Sequence, residues 1–407
     1  MTSRISEATA DSLIASKTPS LLEKARSLAG LLGEESAHGE AAGALTDRTM
    51  AALRSGDFFS LMVPECCGGA EANPAEALHI IEELSHADGS TGWVVMAAGL
   101  CTGTAAAFLD DEAVREIFAG GSIPIIAGHG GPNGTAIVER NGFRLSGNWR
   151  YGSGTKHATY IHSGAVVIEN GAPRRTADGQ PEIRIFVTPR SDAVLADDWN
   201  VLGLRATGSV DYAITELFVP DEFSHPPGIL EPKRGGSLYL IGLLGIAVIG
   251  HTGFALGVGR RALDEIAAFA REQTGPTGRL RDSDSFREQY GAAEAHFRAA
   301  RAFVFETWRD IEIAIEGGDR MTTRQTTLAR LAMSHVTSIT ADICSFAYRT
   351  GGGVALRDGP LQRCFRDIHA ATQHLHAHPL ILGECGRELA GLATDQMWGR
   401  YGLVDKA

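Results

Sequence analysis

Apolar residues recur at three- and four-residue spacing in SLLEKARSLAGLLGEESAHGEA and PAEALHIIEELSHADGSTGW, which predicts helices through most of residues 1–121. Between them, FFSLMVPECCGGAEANP carries Gly68, Gly69 and Pro74, which predict a turn before the next helix. Ser90, Thr91, Gly92 and Trp93 lead into a nearly uncharged helix, VVMAAGLCTGTAAAFL. From residue 122 the pattern changes. IPIIAGHGG, TAIVERNGFRLSGNWRYGSG, YIHSGAVVIE, IRIFVTP and DYAITELFVP are short β-branched and aromatic runs, separated by Gly, Asn, Asp and Pro. They predict a small antiparallel β-domain over residues 122–225, with the RNG at 140–142 marking a hairpin. Helical spacing returns over residues 226–407 in four long stretches, Ser237–Gln273, Ser285–Glu316, Thr322–Thr350 and Pro360–Thr394. Gly351, Gly352 and Gly353 separate the third from the fourth. The fold class is therefore α+β and multidomain: an N-terminal helical domain, a central antiparallel β-domain and a C-terminal four-helix bundle.

One stretch needs a membrane check. Ser237–Gly259 holds no Lys, Arg, Asp or Glu and is long enough to span a bilayer. It also holds six glycines with His251 and Thr252, and the helical pattern runs on through Arg260, Arg261, Asp264 and Glu265. The reading is a central helix buried in a soluble bundle, with no membrane partner. Composition agrees, since 44% of the residues are hydrophobic and 21% charged. With 37 Lys and Arg against 49 Asp and Glu, the net charge of −12 gives no electrostatic reason to bind nucleic acid. Six cysteines without C-x-x-C spacing read as reduced thiols, and the N-terminus shows no apolar leader, so a cytoplasmic protein is expected.

No P-loop, no G-x-G-x-x-G between strand and helix, and no G-x-S-x-G elbow occurs. Gly250, Gly253, Gly257 and Gly259 lie inside the uncharged helix, where they read as small residues that let two helices approach closely. The last stretch carries His369, His374, His376 and His378. His374 and His378 are four apart, but no glutamate base lies between them and Pro379 disturbs the helix. No metal site is read there, and one pocket histidine is the plainer account. The β-domain carries a sharper signal. NWRYGSGTKH combines aromatic Tyr151, small residues and the Ser153 hydroxyl, and GLRATGS combines Arg205 with Thr207 and Ser209.

Taken in order, VPECCGG, RLSGNWRYGSG, GLRATGS with VPDE, and ALGVGRRALDE followed by GGG resemble the acyl-CoA dehydrogenase fold superfamily over nearly the whole chain. The resemblance implies three domains, a flavin wedged between β-domain and bundle, and a homotetramer in which a neighbouring subunit helps hold the cofactor. In the dehydrogenases proper a glutamate removes an α-proton. Both usual positions of that base are empty, since neither RDIHAATQHLHAHP after Asp367 nor SLYLIGLLGIAVIGHTGF holds a carboxylate.

PLQRCFRDIHAATQH is similar instead to the flavin-dependent monooxygenase branch, the oxygenase components of two-component hydroxylases acting on 4-hydroxyphenylacetate or a steroid-derived phenol. That similarity implies reduced FMN or FAD from a separate reductase, and O2 as co-substrate adding at the flavin C4a. One oxygen atom then passes to a small aromatic or heteroatom-bearing molecule. It implies catalytic roles for His374 and Ser153, and flavin contacts from Trp149, Tyr151, Ser153, Arg205, Thr207, Ser209, Gly351 and Gly352. Cys101, His129, Leu243 and Ala247 would line the substrate side. Two positions depart from the phenol hydroxylases: Cys101 stands where they carry a histidine and Gly128 where they carry a serine. Two other readings stay open, a dehydrogenase or oxidase with a displaced base and an idle binding subunit.

Overall fold

The computed structural model describes residues 19–177, 179–228, 231–272, 274–275, 278–400 and 402–405. Five helices come first: α1 (Leu21–Ala42), α2 (Asp47–Ser55), α3 (Pro74–Ala87), α4 (Gly89–Phe108) and α5 (Asp111–Ile117). Their starts are written in the side chains. Ser20 and Glu23 form a capping box on α1, Asn73 caps α3 ahead of Pro74, and Asp88 caps α4 by accepting the Thr91 N–H at 2.8 Å.

The central domain is an eight-stranded sheet built from β1 (Ile126–Glu139), β2 (Gly142–Trp149), β3 (Tyr160–Glu169), β4 (Ala172–Pro173), β5 (Ile183–Pro189), β6 (Val194–Leu195), β7 (Tyr212–Pro220) and β8 (Ser224–His225). Its order is β6-β7-β2-β1-β3-β5-β8, with β4 on β3. The sheet is mixed, not antiparallel throughout as the sequence predicts, because β1 and β3 run parallel. The predicted hairpin is present: β1 turns into β2 through Asn141, which takes the left-handed φ of +63°. Trp149 and Tyr212 stack at 5.3 Å inside this domain. Gly134 and Gly147 make room for that indole, since a Cβ on either would meet Trp149 at 2.4 or 2.7 Å.

The C-terminal helices are α6 (Gly242–Glu272), α7 (Asp284–Glu316), α8 (Thr323–Ala355), α9 (Pro360–Ala371) and α10 (Pro379–Leu389). Gly253 and Gly257 of α6 nest against α3, where a Cβ would meet Ile81 at 3.0 Å and the Glu82 carbonyl at 2.3 Å. Both α4 and the segment holding α6 are long and apolar enough to cross a membrane, and both are mostly buried within the protein. The three glycines interrupt the third stretch, at Gly352 (φ +52°), and one further turn runs on to Ala355. The fourth bundle stretch is not one helix as expected, because Pro379 starts a new one after a 3-10 turn at Leu375–Ala377.

Candidate functional site

A chain of hydroxyls marks the cleft edge of the β-domain. Thr207 Oγ1 donates to the Leu204 carbonyl at 2.8 Å and lies 2.6 Å from Ser209 Oγ, which lies 2.8 Å from Ser153 Oγ. Ser153 Oγ also accepts the indole N–H of Trp93, on α4, at 3.0 Å. The loop is locked to its neighbour by backbone pairing, Gly152 N–H to the Val210 carbonyl and Gly154 N–H to the Thr207 carbonyl. Tyr151 sits beside Ser153 in a left-handed conformation (φ +60°), 63% exposed, its ring 6.4 Å from Trp199. A non-glycine residue held there costs on the order of 1 kcal/mol or more, so the surrounding bonds fix it.

The opposite wall is made of histidines. The break between α9 and α10 places His374 at the N-cap of the 3-10 turn, where its Nδ1 faces the His376 N–H at 3.4 Å. His251 projects from α6 to within 4.2 Å of the His374 ring and 5.4 Å of the His376 ring, centre to centre. Trp93 joins both walls, with its ring 5.0 Å from His251 and 5.9 Å from His374. Burial lowers the proton affinity of all three imidazoles, that of His374 to about 4. The charged and titratable groups acting on them are one another, His129, Arg330 and Arg400, with no carboxylate among them.

Asp367, the last carboxylate before the histidines, belongs elsewhere. It is buried, accepts the Leu204 N–H at 2.6 Å, and is pushed up to about 7 by burial and by neighbouring Asp88 and Glu40. Next to it Arg366 bridges Glu40 at 2.8 Å and donates to the Leu202 carbonyl at 3.1 Å. This pair ties the 202–204 loop to α9, so Asp367 is not placed for proton abstraction at the cleft.

Cys101 and Gly128, the two departures from the phenol hydroxylases, lie against each other. Cys101 is buried, and its thiol, pushed up to about 12 by burial, rests on the Gly128 backbone. It remains a thiol at neutral pH and acts as a small apolar surface. His129 is half-buried: its Nδ1 lies 2.6 Å from the Arg150 carbonyl, and its backbone N–H donates to the Tyr212 hydroxyl at 3.1 Å. Leu243 and Ala247 are half-buried on α6, two turns and one turn respectively before His251 on the same face.

Other predicted residues lie away from this cleft. Trp149 is fully buried in the β-domain and donates to the Gly164 carbonyl at 2.8 Å, so it supports the sheet and does not face a ring in the cleft. Arg205 is exposed on the surface, whereas Thr207 is buried. Gly351 and Gly352 stand roughly 27 Å along α8 from Met333, which borders the histidines, at about 1.5 Å rise per residue. They do not belong to this chain's own cleft. The sequence reading missed Trp93, His251 and His376. The available signals were an indole at the head of an uncharged helix and a single imidazole in a charge-free stretch.

The residues present fit a flavin. The Thr207–Ser209–Ser153 hydroxyls donate or accept as required, which suits the alternating donors and acceptors along an isoalloxazine edge. Trp93, Phe254 and His251 supply flat faces beside them, with Trp93 and Phe254 5.0 Å apart.

Comparison with known proteins agrees with this geometry. The family model described as acyl-CoA dehydrogenase, N-terminal domain, matches residues 25–118, and that described as acyl-CoA dehydrogenase, C-terminal domain, matches residues 249–379. An indole-3-acetate monooxygenase of Pseudomonas putida is 30% identical over 79% of this chain and 81% of its own length. A flavin-dependent monooxygenase oxygenase subunit of Rhodococcus jostii is 26% identical over 82% of this chain and 88% of its own. The solved 3-HSA hydroxylase of a Rhodococcus species superposes with a TM-score of 0.85 at 24% identity, covering 92% of this chain and 98% of that one. Oxygenation by reduced flavin and O2 thus replaces the displaced-base dehydrogenase as the reading of the empty base positions. The chain belongs to the acyl-CoA dehydrogenase fold superfamily, in the branch of flavin-dependent monooxygenases that serve as oxygenase components and depend on a separate reductase.

Proposed function

We propose that this oxygenase acts on a ring carbon of an indole-type substrate in the cleft between Ser153 and His374. Bound there in reduced form, the flavin supplies the electrons that activate O2. Ser153 holds the proton at the flavin N5 edge, steadied by Trp93 and Ser209. His374, neutral in its buried setting, receives and returns a proton on the oxygen side. Leu243, Ala247 and Cys101 present an apolar wall that keeps water out. The observation that carries the substrate class is the Cys101–Gly128 contact. A phenol gains from a histidine and a serine that polarise its hydroxyl, and those two positions are apolar here. An indole ring carbon is electron-rich without deprotonation and needs no such pair. The names of the Pseudomonas putida relative and of a second indole-3-acetate monooxygenase, from Acinetobacter baumannii at 26% identity, point the same way. The exposed Val354 and Leu356 at the end of α8, next to Gly352, support assembly of copies into the homotetramer.

The test is turnover of indole-3-acetate and a matched phenol under 18O2 with a flavin reductase. We expect one labelled oxygen in the indole product and little conversion of the phenol. Preferential labelling of the phenol overturns the substrate class, and no label in either overturns the oxygenase assignment of this cleft.

A further inference from the structure

His251 comes from α6, and His374 and His376 from the turn between α9 and α10. Each offers one ring nitrogen, and the three lie within 4.8 Å of one another. The oxygenase reading uses His374 for proton transfer and His251 only as a flat face beside the flavin, and it gives no task to the ring nitrogens of His251 and His376. Among the described residues, the ring nitrogens of His251 and His376 have no hydrogen-bond partner. All three rings border a cavity of about 10 Å³, room for roughly one water molecule or one ion, closed by Phe254, Met333 and Thr337.

We propose that His251, His374 and His376 form a binding site for a divalent transition-metal ion of the zinc or cobalt type, and that occupancy silences the oxygenase by engaging the His374 imidazole. The donor set is three imidazoles on two elements, the set that binds zinc when a fourth position is left to water. A tetrahedral zinc with Zn–N bonds of about 2.0–2.1 Å places its nitrogens about 3.4 Å apart, so the cluster has to contract by about 1.4 Å at most, the scale of a ring rotation. Burial favours the neutral form that metal binding requires. The surrounding charges set the selectivity. Arg330 and Arg400 act on His376 and His129 acts on His374, while no carboxylate offsets an added dication. Affinity must therefore come from the nitrogen bonds themselves. That excludes magnesium and calcium, which need oxygen ligands, and favours ions that bind imidazole strongly. The silencing rests on the role given to His374 above, whereas the site itself does not.

The full chain, free of flavin, is titrated with Co2+ and read by visible absorption, which reports low coordination number directly. We expect one tetrahedral ion per chain, displaced by Zn2+ and removed by a chelator. His251→Gln and His376→Gln should each weaken it by about tenfold or more, while His369→Gln and His378→Gln leave it intact. Circular dichroism verifies folding, and if His251→Gln does not fold, His376→Gln, in the turn between α9 and α10, decides. Absence of the tetrahedral spectrum at one equivalent, or its survival in His376→Gln, overturns the site. With reductase present, Zn2+ should stop product formation in the parent protein, with EDTA restoring it. A tetrahedral site whose occupancy leaves turnover unchanged overturns the silencing and, with it, the role of His374.

Discussion

The indole N–H of Trp93 donates to Ser153 Oγ at 3.0 Å, so a residue of the N-terminal helices fixes the hydroxyl on which the β-domain side of the cleft depends. Ser153 is shared between Trp93 and Ser209, and removing one partner leaves the other free to reorient it. Trp93→Phe keeps most of the ring contacts with His251 and Phe254 and deletes only the donor. One hydrogen bond of this kind is worth about 0.5–1.5 kcal/mol, so reduced-flavin affinity, measured anaerobically by titration, should fall about two- to tenfold. Ser153→Ala should lower it at least as much. Unchanged affinity in both variants would remove this bond from cofactor binding.

Acid should destabilise the fold through its buried histidines. His374 and His225 titrate at about 4 and His162 at about 3, each lowered first by burial from an ordinary value of 6.5. The unfolded chain binds more protons than the folded one between these values and 6.5, so stability falls as pH drops through that window and is fully retained above it. Urea midpoints should be nearly level from pH 7 to 8 and decline steeply from pH 6 to 4. In His162→Gln the decline should be shallower by about 1 kcal/mol for each pH unit the proton uptake spans. His374 should not produce an inflection near neutrality in the rate profile.

Asp367 gives the opposite sign. Its folded value of about 7 lies above the ordinary 3.8, so the folded state binds the extra proton between them and stability falls as pH rises toward 7. Asp367→Asn keeps an oxygen for the Leu204 N–H and removes the ionisation. Relative to the parent, it should gain about 2–3 kcal/mol between pH 5 and pH 8 in denaturant titrations. A constant difference across that range would show that the carboxyl ionises freely where it stands.

The order of three regions was legible because the hydrophobic period changes twice, and the RNG hairpin because its turn chemistry is local. The parallel pairing of β1 with β3 was not, since alternation reports which face a side chain takes and not its partner strand. The same limit applies to the cleft. Trp93, His251 and His374 meet across three elements far apart in the chain; the run PLQRCFRDIHAATQH marks His374, but no local pattern says that Trp93 and His251 join it. Pro379 did announce the break that brings His376 inward, although His374 and His378 had looked like the natural pair. Trp149 shows the reverse error, because its place within a cofactor-like motif concealed that Gly134 and Gly147 had been shaped around it.

The seat of Gly253 and Gly257 against α3 also bears on how the chain is made. Ile81 and Glu82 emerge from the ribosome long before the residues that cover them. Throughout that interval the early helices carry an open apolar flank that α6, with α7 beside it, closes. Maturation of the amino-terminal half therefore waits on translation beyond the whole β-domain, and fragments ending before residue 253 should need a chaperone to stay in solution.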